Sequence, residues 1–255
     1  MAKNASVTAS AAPASLEAGA RTLVSVVLAV ALIVFGIHAL LGLLYPFPLD
    51  YGEAPLVDQA MRLANGRAIY RANLDTPPYT ITNYPPLYIL AMAPFIWLFG
   101  PNFWAGRLIS IVSALAAACF LGGIVNAQTG SRQSGDRFTA WITALLFLAF
   151  PYVAGWAKLA RIDLPALALS TGALYVIARR PQSNRALVGT ALLLTAAIYT
   201  RQSYGLAAPL AAFVWVFVRR GGRAAFALAG MVGGAGLALF VILNLATGGG
   251  FFFNV

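Results

Sequence analysis

The apolar stretches of this chain are too long and too numerous for a water-soluble core. Runs of about 15 to 24 residues recur along it, most of them bounded by arginines: Leu23–Tyr45, Arg107–Ala127, Phe138–Trp156, Leu164–Ala178, Ala186–Thr200, Tyr204–Val218 and Ala224–Ala246. A hydrocarbon core about 30 Å thick takes about 20 residues of helix. Inside lipid every backbone N–H and C=O must find its partner within the protein, which leaves helices or a closed barrel. Barrel strands alternate apolar and polar residues, and these runs do not. The chain is 60% hydrophobic and only 9% charged, whereas soluble domains are nearer a quarter charged. The sequence therefore predicts an all-α polytopic membrane protein, with about seven transmembrane helices plus interfacial helices in the first outer loop.

Residues 1–20 are rich in Ala and Ser and carry no period to bury, so they read as a disordered cytoplasmic tail. Residues 21–255 form the transmembrane domain. Its first run is too long for a signal-peptide core and stays as a signal anchor. Pro46 and Pro48 end that helix, because proline lacks the amide donor and clashes with the preceding turn. Residues 46–104 form the outer loop. Ala54 to Arg67 is amphipathic, with Leu56, Ala60, Leu63 and Ala64 on one face. The stretch from Arg71 to Asn83 is polar and reads as loop. Pro85 to Phe99 is apolar, yet it is only about 21 Å of helix against a core of about 30 Å, so it lies in the interface. Cys119 falls within an apolar run and reads as a small packed hydrophobe, and His38, within the first span, as a packed or interfacial histidine rather than a proton relay.

Counting charge orients the chain. With residues 46–104 on one side, the other side holds Lys3, Arg21, Arg132, Arg137, Arg179, Arg180, Arg185, Arg219, Arg220 and Arg223. The positive-inside rule puts that side, and the amino terminus, in the cytoplasm. The net charge of +10 is thus a topology signal and marks no nucleic-acid surface. Asp50, Glu53, Asp58, Asp75 and Asp163, five of only seven acids, then meet at the outer face with Lys158, Arg161 and Arg201.

Acids gathered at one face of a membrane protein suit general base work, and cations there suit phosphate. Asp50 and Glu53 close the first span. Lys158-Leu-Ala-Arg161-Ile-Asp163 closes another; its bland reading is an ion pair at a helix end, with Asp163 as a cap for the next helix. Arg201 lies between two short runs with little soluble surface around it, so it needs an acid or a phosphate as partner. Tyr84-Pro-Pro-Leu87 reads first as a turn and helix start. Trp97, Phe99, Phe103, Trp104 and Trp156 read as interfacial belt residues.

In this order the features resemble the amino-terminal half of the membrane glycosyltransferases that use polyprenyl-phosphate sugars. The protein O-mannosyltransferases and the aminoarabinose transferases of bacterial lipid A are the nearest kin. The family's adjacent Asp-Glu is matched by Asp50-Tyr-Gly-Glu53, and its second acidic site by Asp163 in Arg161-Ile-Asp163-Leu-Pro. Tyr84 precedes the Pro-Pro pair where a His or Lys often stands, and Arg201 in Tyr-Thr-Arg-Gln takes the place of a Thr-Lys that contacts the lipid phosphate.

The resemblance implies an enzyme: a hexosyl- or pentosyltransferase of the bacterial inner membrane, represented here by an amino-terminal half truncated at its carboxy end. It implies inverting transfer from a lipid-linked donor at the outer face. Glu53 or Asp50 would be the general base, with Glu53 favoured as the match to the second member of the acidic pair. Asp163 would serve as a second catalytic acid, and Arg201, Arg161, Lys158 and Tyr84 would bind the substrate. A divalent cation, Mg or Mn, held by Asp50, Glu53 and Asp163 would be compatible with hard oxygen ligands but is not required. Partners implied are the donor lipid and membrane lipid, and homo- or hetero-oligomers are left open. The rival reading is a transporter or channel fragment with Asp163, Arg161 and Arg201 in the pathway, and a third is an inert membrane scaffold.

Overall fold

The computed structural model describes residues 14–77, 79–129 and 134–255. Among these all regular structure is helical. α1 (Ala14–Leu44) begins inside the expected tail, so residues 14–20 extend the first helix where disorder is expected. Glu17 and Arg21, one turn apart and paired at 2.7 Å, support that extra turn. The rest of the tail, 1–13, lies outside the described residues.

The outer loop carries two helices, α2 (Glu53–Ala64) and α3 (Leu87–Phe99). Leu56, Val57 and Ala60 of α2 pack on Tyr88, Ile89, Met92 and Ile96 of α3. The opposite face of α3 leaves Leu90, Trp97, Leu98 and Phe99 exposed. A 13-residue helix that is apolar on both sides, one against α2 and one outward, fits the interfacial placement.

The bundle is built from α4 (Trp104–Thr129), α5 (Ser134–Ala149), α6 (Pro151–Ala157), α7 (Asp163–Arg179), α8 (Asn184–Thr200), α9 (Ala207–Arg220) and α10 (Gly222–Ala246). The run from Phe138 to Trp156 is broken: Pro151 starts α6 at 64° to α5. Among the described residues α1, α4 and α10 are long and apolar enough to cross a membrane, and the α5–α6 pair would make a fourth crossing. The expected seven would also count α7, α8 and α9, at 17, 17 and 14 residues. α7 lies against α4, α8 and α9 and buries most of its length. Enclosure by other helices is why it carries Ser170, Thr171 and Gly172 without lipid having to solvate them.

Antiparallel hairpins sort the chain ends. The C-terminus of α9 meets the N-terminus of α8, where Arg220 Nη2 donates to Asn184 Oδ1 (2.7 Å) and Gln182 Nε2 to the Arg219 carbonyl (2.9 Å). At the other end the start of α7, the end of α8 and the end of α1 come together. α10 returns to that end, and a last helix, α11 (Gly250–Asn254), turns back onto the outer loop. Phe251 packs on Tyr70 and Tyr199, while Asn254 accepts from the Thr82 N–H (3.0 Å) and donates to the Arg71 carbonyl (2.8 Å).

Cys119 is not packed but faces outward from its helix, and His38 is exposed as well, which leaves the interfacial one of its two readings. An apolar run in lipid has two environments, and periodicity within a fully apolar stretch does not separate them.

Candidate active site

Two ion-pair systems occupy the end of the bundle where α1 finishes and α7 begins. The first is closed. Arg107, in the first turn of α4, and Glu53, the first residue of α2, are both fully buried. Arg107 Nε donates to Glu53 Oε1 and Nη2 to Oε2, each at 2.9 Å. Its remaining N–H groups go to the carbonyls of Gly42, Tyr45 and Phe47, so all five guanidinium donors are used. Glu53 also accepts from the backbone N–H groups of Ala160 (2.7 Å) and Leu49 (2.5 Å). Burial alone would raise the Glu53 pKa; the Arg107 bonds and charge and the two amides outweigh it and hold the carboxyl below its ordinary value. This pair clamps the end of α1, the Pro46–Pro48 turn, α2, α4 and the 158–162 segment together. Glu53 therefore does not suit the base role favoured for it from sequence, since both oxygens are occupied and solvent is excluded.

The second system is open. Arg161 is 7% exposed and stands between two acids. Its Nη1 donates to Asp50 Oδ2 at 2.6 Å, and its Nε lies 3.7 Å from Asp163 Oδ2. The guanidinium sits over Trp156 at 5.0 Å from the ring centre and over Tyr51 at 5.7 Å. Trp156 is thus a wall of the site, where the sequence suggests a belt residue. Gly52 is in close approach here: a Cβ would overlap the Arg161 guanidinium, which would have to shift. Asp50 is part-exposed; its Oδ2 also accepts from the Gly52 N–H (3.0 Å), and Oδ1 takes no hydrogen bond from the described residues.

Asp163 opens α7 and is nearly buried, yet it makes no cap bond; the N-cap is Ile162. Its carboxylate ion-pairs with Arg201, which follows the last residue of α8. Arg201 keeps about a third of its side chain exposed. The result is an alternating row, Asp50–Arg161–Asp163–Arg201, drawn from three separate segments. Lys158 ends α6 with its Cβ against Gly42 and makes no ion pair among the described residues. Tyr84 is half-buried and its carbonyl accepts from the buried Tyr70 hydroxyl (2.7 Å). Asp50, Glu53 and Asp163 do not converge on one point, because Arg107 closes off Glu53 and Arg161 divides the other two. Among the described residues no set of three acids, histidines or cysteines is placed to hold a metal.

Two clefts lie in this region, one of them lined by a residue of the row. One, of about 340 Å³, lies between α2 and the 81–84 loop, with Arg161 in its wall. The other, of about 350 Å³, is apolar and runs between α3, α4, α7 and α8, with Ile109, Phe120, Leu169 and Leu193 among its lining and Thr200 at its edge.

The family model described as dolichyl-phosphate-mannose-protein mannosyltransferase matches residues 83–246. The chain belongs to that family. Neither the curated proteins nor the solved structures give a match. Membership makes the chain a membrane glycosyltransferase of the kind that draws on a lipid-linked sugar, and an integral membrane protein. The match begins at Asn83, so it takes in Arg107, Arg161, Asp163 and Arg201 but leaves out Asp50 and Glu53. Arg107 is the functional-site residue that sequence reading assigned only to the opening of a span. A cation at the start of an apolar run, on the face that holds the acids, needed a buried partner.

Proposed function

We propose that the enzyme moves a sugar from a polyprenyl phosphate to an acceptor hydroxyl at the outer face of the membrane, with inversion, using Asp50 as general base. The observation that carries this reading is the row Asp50–Arg161–Asp163–Arg201. It has an acid with an unengaged oxygen at one end and a part-exposed arginine at the other. Asp50 Oδ1 accepts the acceptor's proton as its oxygen attacks the anomeric carbon. The bond from that carbon to the phosphate oxygen breaks, and the phosphate leaves with the electron pair. Arg201 meets the phosphate through charge-assisted bonds, and Lys158 adds a cation on the same face. Asp163 keeps Arg201 and Arg161 in place, and Arg161 orients Asp50. The apolar cleft between α3, α4, α7 and α8 has Pro165 and Thr200 in its lining, close in sequence to Asp163 and Arg201, and offers a seat for the start of the lipid tail.

Charges at helix ends rather than at mid-helix favour this reading over a translocation path. Asp50→Asn in the full-length protein tests it. Transfer, read as polyprenyl phosphate released from a lipid-linked sugar in membranes, should fall by about 10²–10⁴-fold. The amount of protein should stay at the wild-type level. An Asp50→Asn protein that transfers at the wild-type rate removes Asp50 from the mechanism.

A further inference from the structure

The chain after α10 is built to fold back. Gly248 and Gly249 turn it with φ of +56° and +87°, a region that favours glycine. Thr247 Oγ1 accepts from the Phe251 N–H (2.8 Å) and Asn244 Oδ1 from the Phe252 N–H (3.0 Å), which caps α11. A helix of five residues does not hold itself in place, so its position comes from what it touches. On one side are two arms of the loop, 69–71 and 82–84. Thr82 Oγ1 on the Ile69 carbonyl and the Tyr70 hydroxyl on the Tyr84 carbonyl, each at 2.7 Å, hold the arms to each other. Asn254 bridges the same arms. Its Oδ1 accepts from the Thr82 N–H (3.0 Å), and its Nδ2 donates to the carbonyls of Arg71 (2.8 Å) and Gly250 (2.7 Å). Thr82 and Asn254 are 3% and 8% exposed, so water does not replace either partner. Gly250 approaches so closely that a Cβ would lie 2.6 Å from the Tyr70 carbonyl oxygen.

On its other side α11 meets the end of α8. Phe251, buried, stacks on Tyr199 with ring centres 6.3 Å apart, two residues before Arg201. Gln202 Nε2 donates to the Asn83 carbonyl (3.0 Å), which ties the corner after Arg201 to the 82–84 arm. α11, the arms and residues 199–202 therefore close a circuit that includes Arg201. Asp50 lies outside it, on a turn held by Glu53 and Arg107. We propose that Asn254 is a positioning residue for transfer: through the 82–84 arm and Gln202 it holds Arg201 where the lipid phosphate meets it. This rests on the transfer reading above and adds to it an element beyond residues 83–246, the stretch the family model matches. Because the circuit includes Arg201 and not Asp50, loosening it should weaken donor binding and spare the chemical step.

The test uses the full-length protein in membranes, with polyprenyl phosphates carrying mannose, glucose or 4-amino-4-deoxyarabinose as donors. Kinetics are read with whichever donor the wild type consumes, as polyprenyl phosphate released. A nitroxide at position 81, in a Cys119→Ala background, reports the 82–84 arm. Asn254→Ala should mobilise that label and raise donor KM about three- to tenfold, with kcat within about twofold of wild type. Gln202→Leu, at an exposed residue, should raise KM in the same way and leave the fold intact. Phe253→Ala, on the exposed side of α11, should match the wild type in both readouts. An unaltered KM in a folded Asn254→Ala protein, or a fall in kcat in place of a rise in KM, overturns the positioning role and leaves the transfer reading standing. An equal rise in KM for Phe253→Ala does the same. Should Asn254→Ala not fold, a wild-type KM in Gln202→Leu overturns the role. A wild type that consumes none of the three donors removes both.

Discussion

Removal of Arg107 should cost the protein far more than removal of any acid in the open row. Arg107→Ala takes away five N–H donors at once and leaves the Glu53 carboxylate, fully buried, with only the backbone amides of Leu49, Asp50 and Ala160. Breaking a buried ion pair by deleting one partner costs about 3–5 kcal/mol. The carbonyls of Gly42, Tyr45 and Phe47 lose their donor too. Tyr45 and Phe47 are exposed, so water can replace the arginine there, and that part of the loss is small. A total of about 4 kcal/mol lowers the folded-to-unfolded ratio by about 10³. In mild detergent this reads as a Tm lower by roughly 10 °C and a reduced monodisperse yield. Glu53→Gln should behave in the same direction, since it turns one oxygen that faces Arg107 into a donor. The double variant Glu53→Leu, Arg107→Met should recover part of the loss, because no charge is then left buried alone. Wild-type Tm and yield for Arg107→Ala would refute the reasoning. So would a Glu53→Gln protein that accumulates normally but has lost transfer, an outcome that returns the base role to Glu53.

Arg201→Ala should raise KM for the lipid-linked donor, whereas Arg201→Lys should retain part of the affinity, since lysine keeps the charge and loses the bidentate fork; donor kinetics identical to wild type in a folded Arg201→Ala protein would exclude it from phosphate binding. Glu53 also sets a pH dependence. Its folded pKa lies below the ordinary 4.5, so its contribution to stability is complete above that value and is lost as the pH falls from there through the folded value. Detergent melts between pH 7 and pH 5 should therefore show no loss from this group, and Glu53→Gln should flatten the fall seen below that window. For topology, the exposed native thiol must first be removed by Cys119→Ala. Single cysteines at Asn73 and Ser203 should then react with an impermeant reagent from outside, and one at Asn184 should not; outside labelling of Asn184 would invert the orientation.

The sequence by itself determined the class of structure, and the reason is energetic. Long apolar runs have no stable alternative to helices in lipid. The short, proline-marked stretch before Phe99 was readable as a helix too short to cross a bilayer, for the same reason of length. The gathering of Asp50, Arg161, Asp163 and Arg201 at one end followed from the hairpins these helices form. What the sequence did not contain was the division of labour among the acids. Asp50 and Glu53 are three residues apart and alike in type, so local pattern cannot rank them. Only the packing of α4 against the end of α1 carries Arg107 to Glu53, across 54 positions, and turns that acid inward. The same contact leaves Asp50 facing Arg161 and the cleft. The return of α11 onto the 46–104 segment was likewise set by tertiary contacts. A partner far away in sequence decides whether a carboxylate is clamped or open, because burial and pairing are properties of the assembled surface and not of the residue.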